Sequence, residues 1–284
     1  MPELPEVQAH AERLSASFGG QELQRFTPLS FSVMKTVRPA ADEAYGSPLH
    51  SFTRRGKLLM AHFGSPGEPA TITFVVHLMQ GGRLVPDEKQ SARPHNGLAR
   101  WIFGDGRALL LTEAGKEHKA GIWVHSGDPL TQPPLDSLGV DADLATPEEL
   151  AAALAAKNQR LHGFLRDQHG VAGLGRMLAN EICHTAKLSP FAMTKKLTPA
   201  AIDRLYEAIH TCVDSALTFE RGLDAMSKSA DRPGAVHRRK GAVCPICGDS
   251  IRAVEYNAYE VDYCPTCQTA GRILADNTTS KFLK

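Results

Sequence analysis

Apolar residues first recur with a helical period: Val7, Ala11 and Leu14 share one face of a segment from Pro5 to about Phe18, and Pro5 suits a first helical turn, which needs no N–H from it. From there to residue 125 the pattern shortens. The apolar runs LLMAHF, TITFVVHLM, ARWIF and ALLLT are separated by turn-forming pieces such as GSPGEP and GDG, which predicts a strand-rich region. One helix leading a set of strands predicts a β-sandwich with a flanking helix.

The segment HSGDPLTQPPLDSLG, residues 125–139, marks a boundary, and helical spacing returns beyond it. Thr146-Pro147-Glu148-Glu149 supplies an N-cap, a first-turn proline and a capping glutamate for a helix through LAAALAAKNQRLHGFLRD. Thr198-Pro199 opens AAIDRLYEAIHTCVDSAL in the same way. Between them GVAGLGRMLANEICHTA joins a glycine-rich turn to a further helix. Residues 220–243 show little periodicity and read as a basic, mobile linker. The expected protein is therefore an α+β multidomain chain: a sandwich over 1–128, an all-helical domain over 140–220, the linker 221–243, and a cysteine-bearing module over 244–284.

The 284 residues, 42% of them apolar, can bury a core and form two domains with a small appendage. There is no run of about 18 apolar residues and no basic N-terminal segment followed by an apolar stretch, so neither a membrane span nor a signal peptide is predicted, and a cytoplasmic protein is expected. Lysine and arginine total 32 against 31 acids, and a net charge of +1 gives no global signal for nucleic acid. The distribution is uneven, however. Arg221 to Lys240 holds six Lys or Arg against two Asp, whereas Asp136 to Glu149 holds five acids and no base. A basic stretch is ordinarily a solvated loop, so its neighbours decide its meaning.

Cys183 and Cys212 stand alone in helical patterns and read as small core residues. Cys244-Pro-Ile-Cys247 and Cys264-Pro-Thr-Cys267 are separated by 16 residues, the spacing of a four-thiolate zinc ribbon. The intervening IRAVEYNAYEVDY alternates like a hairpin that would bring the two turns together. A module of about 40 residues cannot build a sufficient core alone, so metal ligation would supply much of its folding free energy. Such a closed site has no open position, which makes one structural zinc ion the expectation. Two disulfides or a redox dithiol are the alternatives; they require a secreted context or a thioredoxin-like βαβ pattern.

Asp167-Gln168-His169-Gly170-Val171-Ala172-Gly173-Leu174-Gly175 precedes a helix. It reads either as a plain helix connection or as a place where glycines let backbone approach a phosphate at a helix N-terminus. MPELPEV at the start, the lysine of Arg54-Arg55-Gly56-Lys57, this DQxxVAGLG turn and the CxxC pairs, in this order across essentially the whole chain, closely resemble the formamidopyrimidine-DNA glycosylase and endonuclease VIII family of bifunctional base-excision repair enzymes. The resemblance implies an N-terminal β-sandwich, a helix-two-turns-helix domain and a zinc finger, with DNA in the cleft between them.

It also implies roles. With Met1 removed, Pro2 presents a secondary amine whose α-amino reference pKa is about 7.7–8, so part of it is neutral and nucleophilic near pH 7, where a lysine would need heavy desolvation. Pro2 would attack C1′ of the damaged nucleotide, the base would leave, and the resulting iminium would permit β- and then δ-elimination. Glu3 would act as general acid and base. Glu6 would position the terminus, though a glutamate favoured by the helix dipole explains it equally well. Lys57 would contact the phosphate beside the lesion. A flipped-out nucleotide leaves a gap, which Gln80, or Met79 in another register, would fill. Arg55, Lys119, Gly173, Gly175, Arg176, Arg238 and Arg239 complete the expected DNA contacts, and the 221–243 segment would cover the flipped base.

Three departures bear on specificity. Arg176 stands where the family usually has Asn. The usual finger arginine is missing from Tyr259-Glu260-Val261-Asp262-Tyr263, where two acids would repel phosphate. The loop GKEHKAG before Trp123 has no aromatic wedge, and Lys116, His118 or Lys119 would compensate only in part. These changes spare the catalytic groups, so lyase chemistry is expected to persist with base selection shifted from 8-oxoguanine opposite cytosine toward oxidised pyrimidines or less structured DNA. In this the chain resembles actinobacterial endonuclease VIII-like members; a monomer is expected, cytoplasmic and associated with the nucleoid when bound to DNA. Two rival readings stand: a glycosylase for oxidised purines, and a binder of damaged or abasic DNA with little turnover.

Overall fold

Helix α1 (Leu4–Phe18) begins where Glu3 donates its backbone N–H to Glu6 Oε2 at 2.9 Å, so the acid three residues on closes the first turn, which also holds Pro5. Leu4, Val7, Ala11, Leu14 and Phe18 form its buried stripe. This computed structural model describes residues 1–115, 119–228, 231–256 and 259–274. The chain divides into two compact units, Met1–Ser137 with Leu223–Lys228, and Leu138–Gly222 with Ser229–Lys284. None of the helices among the described residues is long and apolar enough to cross a membrane.

In the first unit, strands β1 (Leu23–Pro28), β2 (Leu49–Arg55), β3 (Leu58–Phe63), β4 (Ile72–His77), β5 (Gly82–Pro86), β6 (Gly97–Phe103), β7 (Ala108–Glu113) and β8 (Gly121–Ser126) form two four-stranded sheets, ordered β1-β6-β7-β5 and β2-β3-β4-β8. Every pairing is antiparallel. Aromatic rings lock the sheets face to face. Phe26 and Trp101 of one sheet lie 5.2 and 5.9 Å from Phe74 of the other, and Phe63 lies 5.6 Å from Phe74. Edge strand β2 is tied to α1 through Ser15, whose Oγ donates to Phe52 O and accepts from Phe52 N.

The second unit contains β9 (Val140–Asp141), α2 (Pro147–Ala156), α3 (Leu161–Arg166), β10 (Val171–Ala172), α4 (Arg176–Thr185), α5 (Pro199–Arg221), β11 (Arg252–Tyr256), β12 (Tyr259–Tyr263) and α6 (Pro265–Thr269). The caps read from Thr146 and Thr198 form as expected. The single helix expected through Asp167 does not. It breaks into α2 and α3 because Thr194 captures the connecting backbone: its Oγ1 donates to Lys157 O at 2.8 Å and accepts from Gln159 N at 3.1 Å.

Residues 231–243 form neither helix nor strand, yet they are tied at several points. Both carboxylate oxygens of Glu181 on α4 accept from the consecutive N–H groups of Ala235, Val236 and His237 at 2.7, 3.0 and 2.8 Å. A Cβ on Gly234 would stand 2.8 Å from that carboxylate, so the clamp requires glycine there. Earlier in the segment, Leu223 O and Ser227 O accept from Arg13 and Arg83 in the first unit.

Candidate active site and metal centre

At the chain start, Glu3 and Glu6 are 3% and 0% exposed, Pro2 is buried and Met1 is open to solvent. Two carboxylates at a helix N-terminus are favoured by the helix dipole. The α-amino group of Met1 lies below its ordinary pKa: burial is the main cause, Glu3 and Glu6 oppose it, and the cations Arg83 and Lys57 add to it. The terminus thus lies among two acids, Glu3 and Glu6, and two cations, Arg83 and Lys57, and Pro2 follows it directly.

The hairpin between β2 and β3 positions Lys57. Arg55 pairs with Leu58, leaving Gly56 and Lys57 as a two-residue turn, and Gly56 supplies the positive φ of 57° that the turn needs. Arg54 of β2 braces it against α1, donating to Gln8 Oε1 at 3.1 Å and to Gly56 O at 3.4 Å. Opposite Leu58 sits His77, whose pKa is pushed down to about 4 by burial, with Lys57 adding and Glu113 opposing. It is therefore neutral, and its Nδ1 accepts from Met79 N at 3.0 Å, holding Met79 at φ 54°. A Cβ on Gly82 would come 2.0 Å from Leu78 O, so the turn is as tight as glycine allows and presents Gln80 to solvent. Buried Glu113 accepts from Ala120 N at 2.7 Å, beside exposed Lys119. Lys116 and His118 lie outside the described residues.

In the second unit, Gln168 shapes the glycine turn. Its Nε2 donates to Arg166 O and Leu174 O, and its Oε1 accepts from Gly173 N, all at 3.0 Å. Gly173 has φ 101°, and Gly175 caps α4, whose first residue is Arg176. The guanidinium groups of Arg166 and Arg176 lie 4.5 and 5.0 Å from the centre of the Tyr259 ring, which stacks on Tyr256 at 4.8 Å. Burial holds the Arg176 pKa down, with Arg166 and Arg238 adding and Tyr259 opposing. These three arginines gather where the finger arginine was found missing.

Asp262 requires a correction. It is 0% exposed, and its Oδ2 accepts from Arg238 N at 2.9 Å and Asn180 Nδ2 at 3.0 Å. Its charge is directed into the fold and does not confront a phosphate. Glu260, paired with Glu255 across the hairpin, remains half-buried.

The four ribbon cysteines converge. Cys244 and Cys267 Sγ are 3.9 Å apart, and Cys247 and Cys264 Sγ are 3.3 Å apart, far longer than a disulfide bond of about 2.05 Å. A tetrahedral zinc with bonds of about 2.3 Å would set its sulfurs about 3.8 Å apart, so these donors fit that ion. His184, on α4, approaches from the helical side, with Nε2 3.3 Å from Cys244 Sγ. Buried Cys183 is far less acidic than an ordinary thiol because of desolvation and lies among core side chains, as its helical position predicted.

The formamidopyrimidine-DNA glycosylase N-terminal domain model matches residues 1–116, and the H2TH domain model of the same glycosylases matches residues 138–227. A formamidopyrimidine-DNA glycosylase of Pelotomaculum thermopropionicum is 30% identical over 280 residues, covering 94% of this chain and 99% of that protein. The chain belongs to the formamidopyrimidine-DNA glycosylase family. An uncharacterised formamidopyrimidine-DNA glycosylase-like protein of Mycobacterium tuberculosis is 41% identical over 150 residues, which is 52% of this chain and 95% of that protein. Lactococcus lactis formamidopyrimidine-DNA glycosylase, solved on DNA containing an AP site, superposes with a TM-score of 0.81 at 21% identity over 94% of this chain and 99% of its own. That likeness concerns the fold.

Against the family pattern, Glu3, Glu6 and Lys57 share one electrostatic neighbourhood around the α-amino group of Met1, next to Pro2, in the first unit. In the second, Gly173 and Gly175 shape the turn that opens onto Arg176. Arg238 is exposed at a left-handed position, φ 57°, and Arg239 donates to Gly234 O. Arg55 is half-buried at the end of β2. Sequence reasoning missed Arg83, His77, Gln168 as a brace, Arg166 with Tyr259, and His184. Of these only Gln168 carried a local signal, its place in the DQ pair before the glycines.

Proposed function

We propose that this chain, a base-excision repair DNA glycosylase and AP lyase by family, works through the amine of Pro2 after Met1 is excised. The Pro2 nitrogen forms a bond to C1′ as the bond from C1′ to the base breaks. Glu3 delivers a proton to the departing base or to the ring oxygen. Ring opening yields an iminium, which acidifies the C2′ proton. Its removal expels the 3′ phosphate, and a second elimination expels the 5′ phosphate. Support comes chiefly from the chain start, where Pro2 is buried beside two buried carboxylates, Glu3 and Glu6. A neutral amine attacks, and a carboxylate stabilises the cation that follows.

Lys57 and Arg83 supply positive charge for the flanking phosphates, and Arg166, Arg176 and Arg238 supply it in the second unit. Cys244, Cys247, Cys264 and Cys267 would hold one zinc ion, which when bound stabilises the ribbon and takes no part in bond breaking. DNA carrying oxidised or abasic nucleotides is the partner, and the enzyme acts as a cytoplasmic monomer. Selection leans toward oxidised pyrimidines because residues 115–121 offer no aromatic wedge.

Borohydride trapping on DNA with a single abasic site tests the mechanism. Wild type should give a covalent complex, and Pro2→Gly should lower trapping and cleavage at least tenfold. Equal trapping by Pro2→Gly, or tight binding by wild type with no trapped complex and no cut strand, would refute it.

A further inference from the structure

Helix α4 brings a fifth metal-binding side chain to the cysteine cluster. His184 is 4% exposed, and its Nε2 lies 3.3 Å from Cys244 Sγ. The ligating atoms of His184, Cys244, Cys264 and Cys267 all lie within 4.8 Å of one another, a tetrad that is complete without Cys247. Cys247 is the exposed cysteine of the four. Five donors therefore surround a site for an ion that accepts four.

The two possible uses of His184 differ in which part of the imidazole faces the site. With four thiolates bound, zinc carries an excess of two negative charges, and an N–H directed at Cys244 Sγ offsets part of it. With three thiolates the fourth position is open, and a neutral imidazole nitrogen bonds zinc at about 2.0–2.1 Å. Such a site needs nitrogen–sulfur separations of about 3.6 Å and sulfur–sulfur separations of about 3.8 Å, so no separation in the tetrad has to close by more than about an ångström. His184 is held by a helix of the packed interior, so it stays at the cluster when a surface thiolate is lost.

We propose that His184 is a reserve ligand. While all four cysteines bind, it donates to Cys244; when Cys247 is removed or chemically blocked, its Nε2 takes the vacated position and the ion is retained by three thiolates and one imidazole. This rests on the reading of the cluster as a zinc site. The consequence is asymmetry among four cysteines that look equivalent in the sequence: Cys247 is dispensable for metal retention, whereas Cys264 is not.

Zinc per chain, measured on purified full-length variants, and the absorption of their cobalt-substituted forms test this. Wild type should hold about one zinc, and a wild type without zinc would refute the zinc site itself, separately from the reserve role. Cys247→Ala and His184→Phe should each retain wild-type zinc. Cys264→Ala, and Cys247→Ala combined with His184→Phe, should lose it at least tenfold. In the cobalt form of Cys247→Ala, thiolate charge-transfer intensity should fall as expected for three sulfurs, and the d–d bands should move to higher energy as nitrogen replaces sulfur. If phenylalanine is too large for the site, His184→Leu serves in its place. Loss of zinc from Cys247→Ala as complete as from Cys264→Ala would overturn the proposal, as would retention by the double variant or loss from the His184 variant alone.

Discussion

Replacing Gln168 separates the shape of the glycine turn from its charge. The side chain makes three hydrogen bonds at 3.0 Å, two donated to Arg166 O and Leu174 O and one accepted from Gly173 N. At about 1 kcal/mol net for each bond, Gln168→Ala would lose about 3 kcal/mol. The site is half-buried, so freed backbone groups reach water and about 2 kcal/mol is the better expectation. Gln168→Glu is nearly the same size and keeps the acceptor for Gly173, yet it turns a carboxylate oxygen toward two carbonyl oxygens. It should therefore cost about 1 kcal/mol more than alanine. Because the turn leads into Gly175 and Arg176, both variants should also weaken binding to an abasic-analogue duplex at fixed salt, by about 5- to 30-fold for 1–2 kcal/mol of turn reordering. Urea unfolding followed by circular dichroism and fluorescence anisotropy supply the two readouts. Losses below about 0.5 kcal/mol in both variants with unchanged affinity would refute the brace, as would glutamate being milder than alanine.

Glu3→Gln should abolish base excision while leaving DNA affinity within a few-fold; excision at the wild-type rate would show that another group supplies the proton. His10 is buried, donates from Nε2 to Leu84 O at 2.8 Å, and has its pKa pushed down to about 4, mainly by burial. Since the unfolded chain binds that proton near pH 6.5 and the folded chain only near 4, stability is complete above about 6.5 and falls toward 4, by up to about 3 kcal/mol from this residue. His10→Gln should flatten that part of a urea-midpoint profile against pH. Glu181→Ala leaves three backbone N–H groups without their carboxylate and should cost about 2–4 kcal/mol, read by urea unfolding, with faster amide exchange confined at first to residues 234–238. Phe74→Ala, at the centre of the aromatic cluster, should cost about 3–5 kcal/mol in the same assay.

The strands quoted from apolar runs, β3, β4, β6 and β7, are the four central strands of the two sheets. In the first unit, the described strands those runs did not reveal, β1, β2, β5 and β8, lie at sheet edges. For β1, β2 and β5 the physical reason is burial. LLMAHF and ALLLTE each bury five of six residues, whereas LQRFTP and GRLVP bury two, so they resemble turn sequence. The break between α2 and α3 was invisible because Thr194, which captures the intervening backbone, is more than thirty positions away. Within the site, MPELPEV, RRGK, the glycine turn and the CxxC pairs were legible because each is contiguous. His184 and Cys244 are 60 residues apart, and the Arg166, Arg176 and Tyr259 stack assembles only when a hairpin packs beside a helix. Asp262 was misread for the same reason: α4, which brings Asn180 to that face of β12, cannot be seen from YEVDY alone.

Helix α4 is only ten residues long, yet Arg176, Asn180, Glu181 and His184 connect along it to Tyr259, to Asp262, to the 235–237 backbone and to Cys244. Two of those partners are in the hairpin of the ribbon, one is a cysteine of its metal cluster, and one is the strap that leads into it. The finger is therefore not a cassette. A ribbon of the same length grafted from another glycosylase would find a rod notched for different teeth, so in this chain the segment from Ala235 to Tyr263 and α4 must vary as a single inherited block.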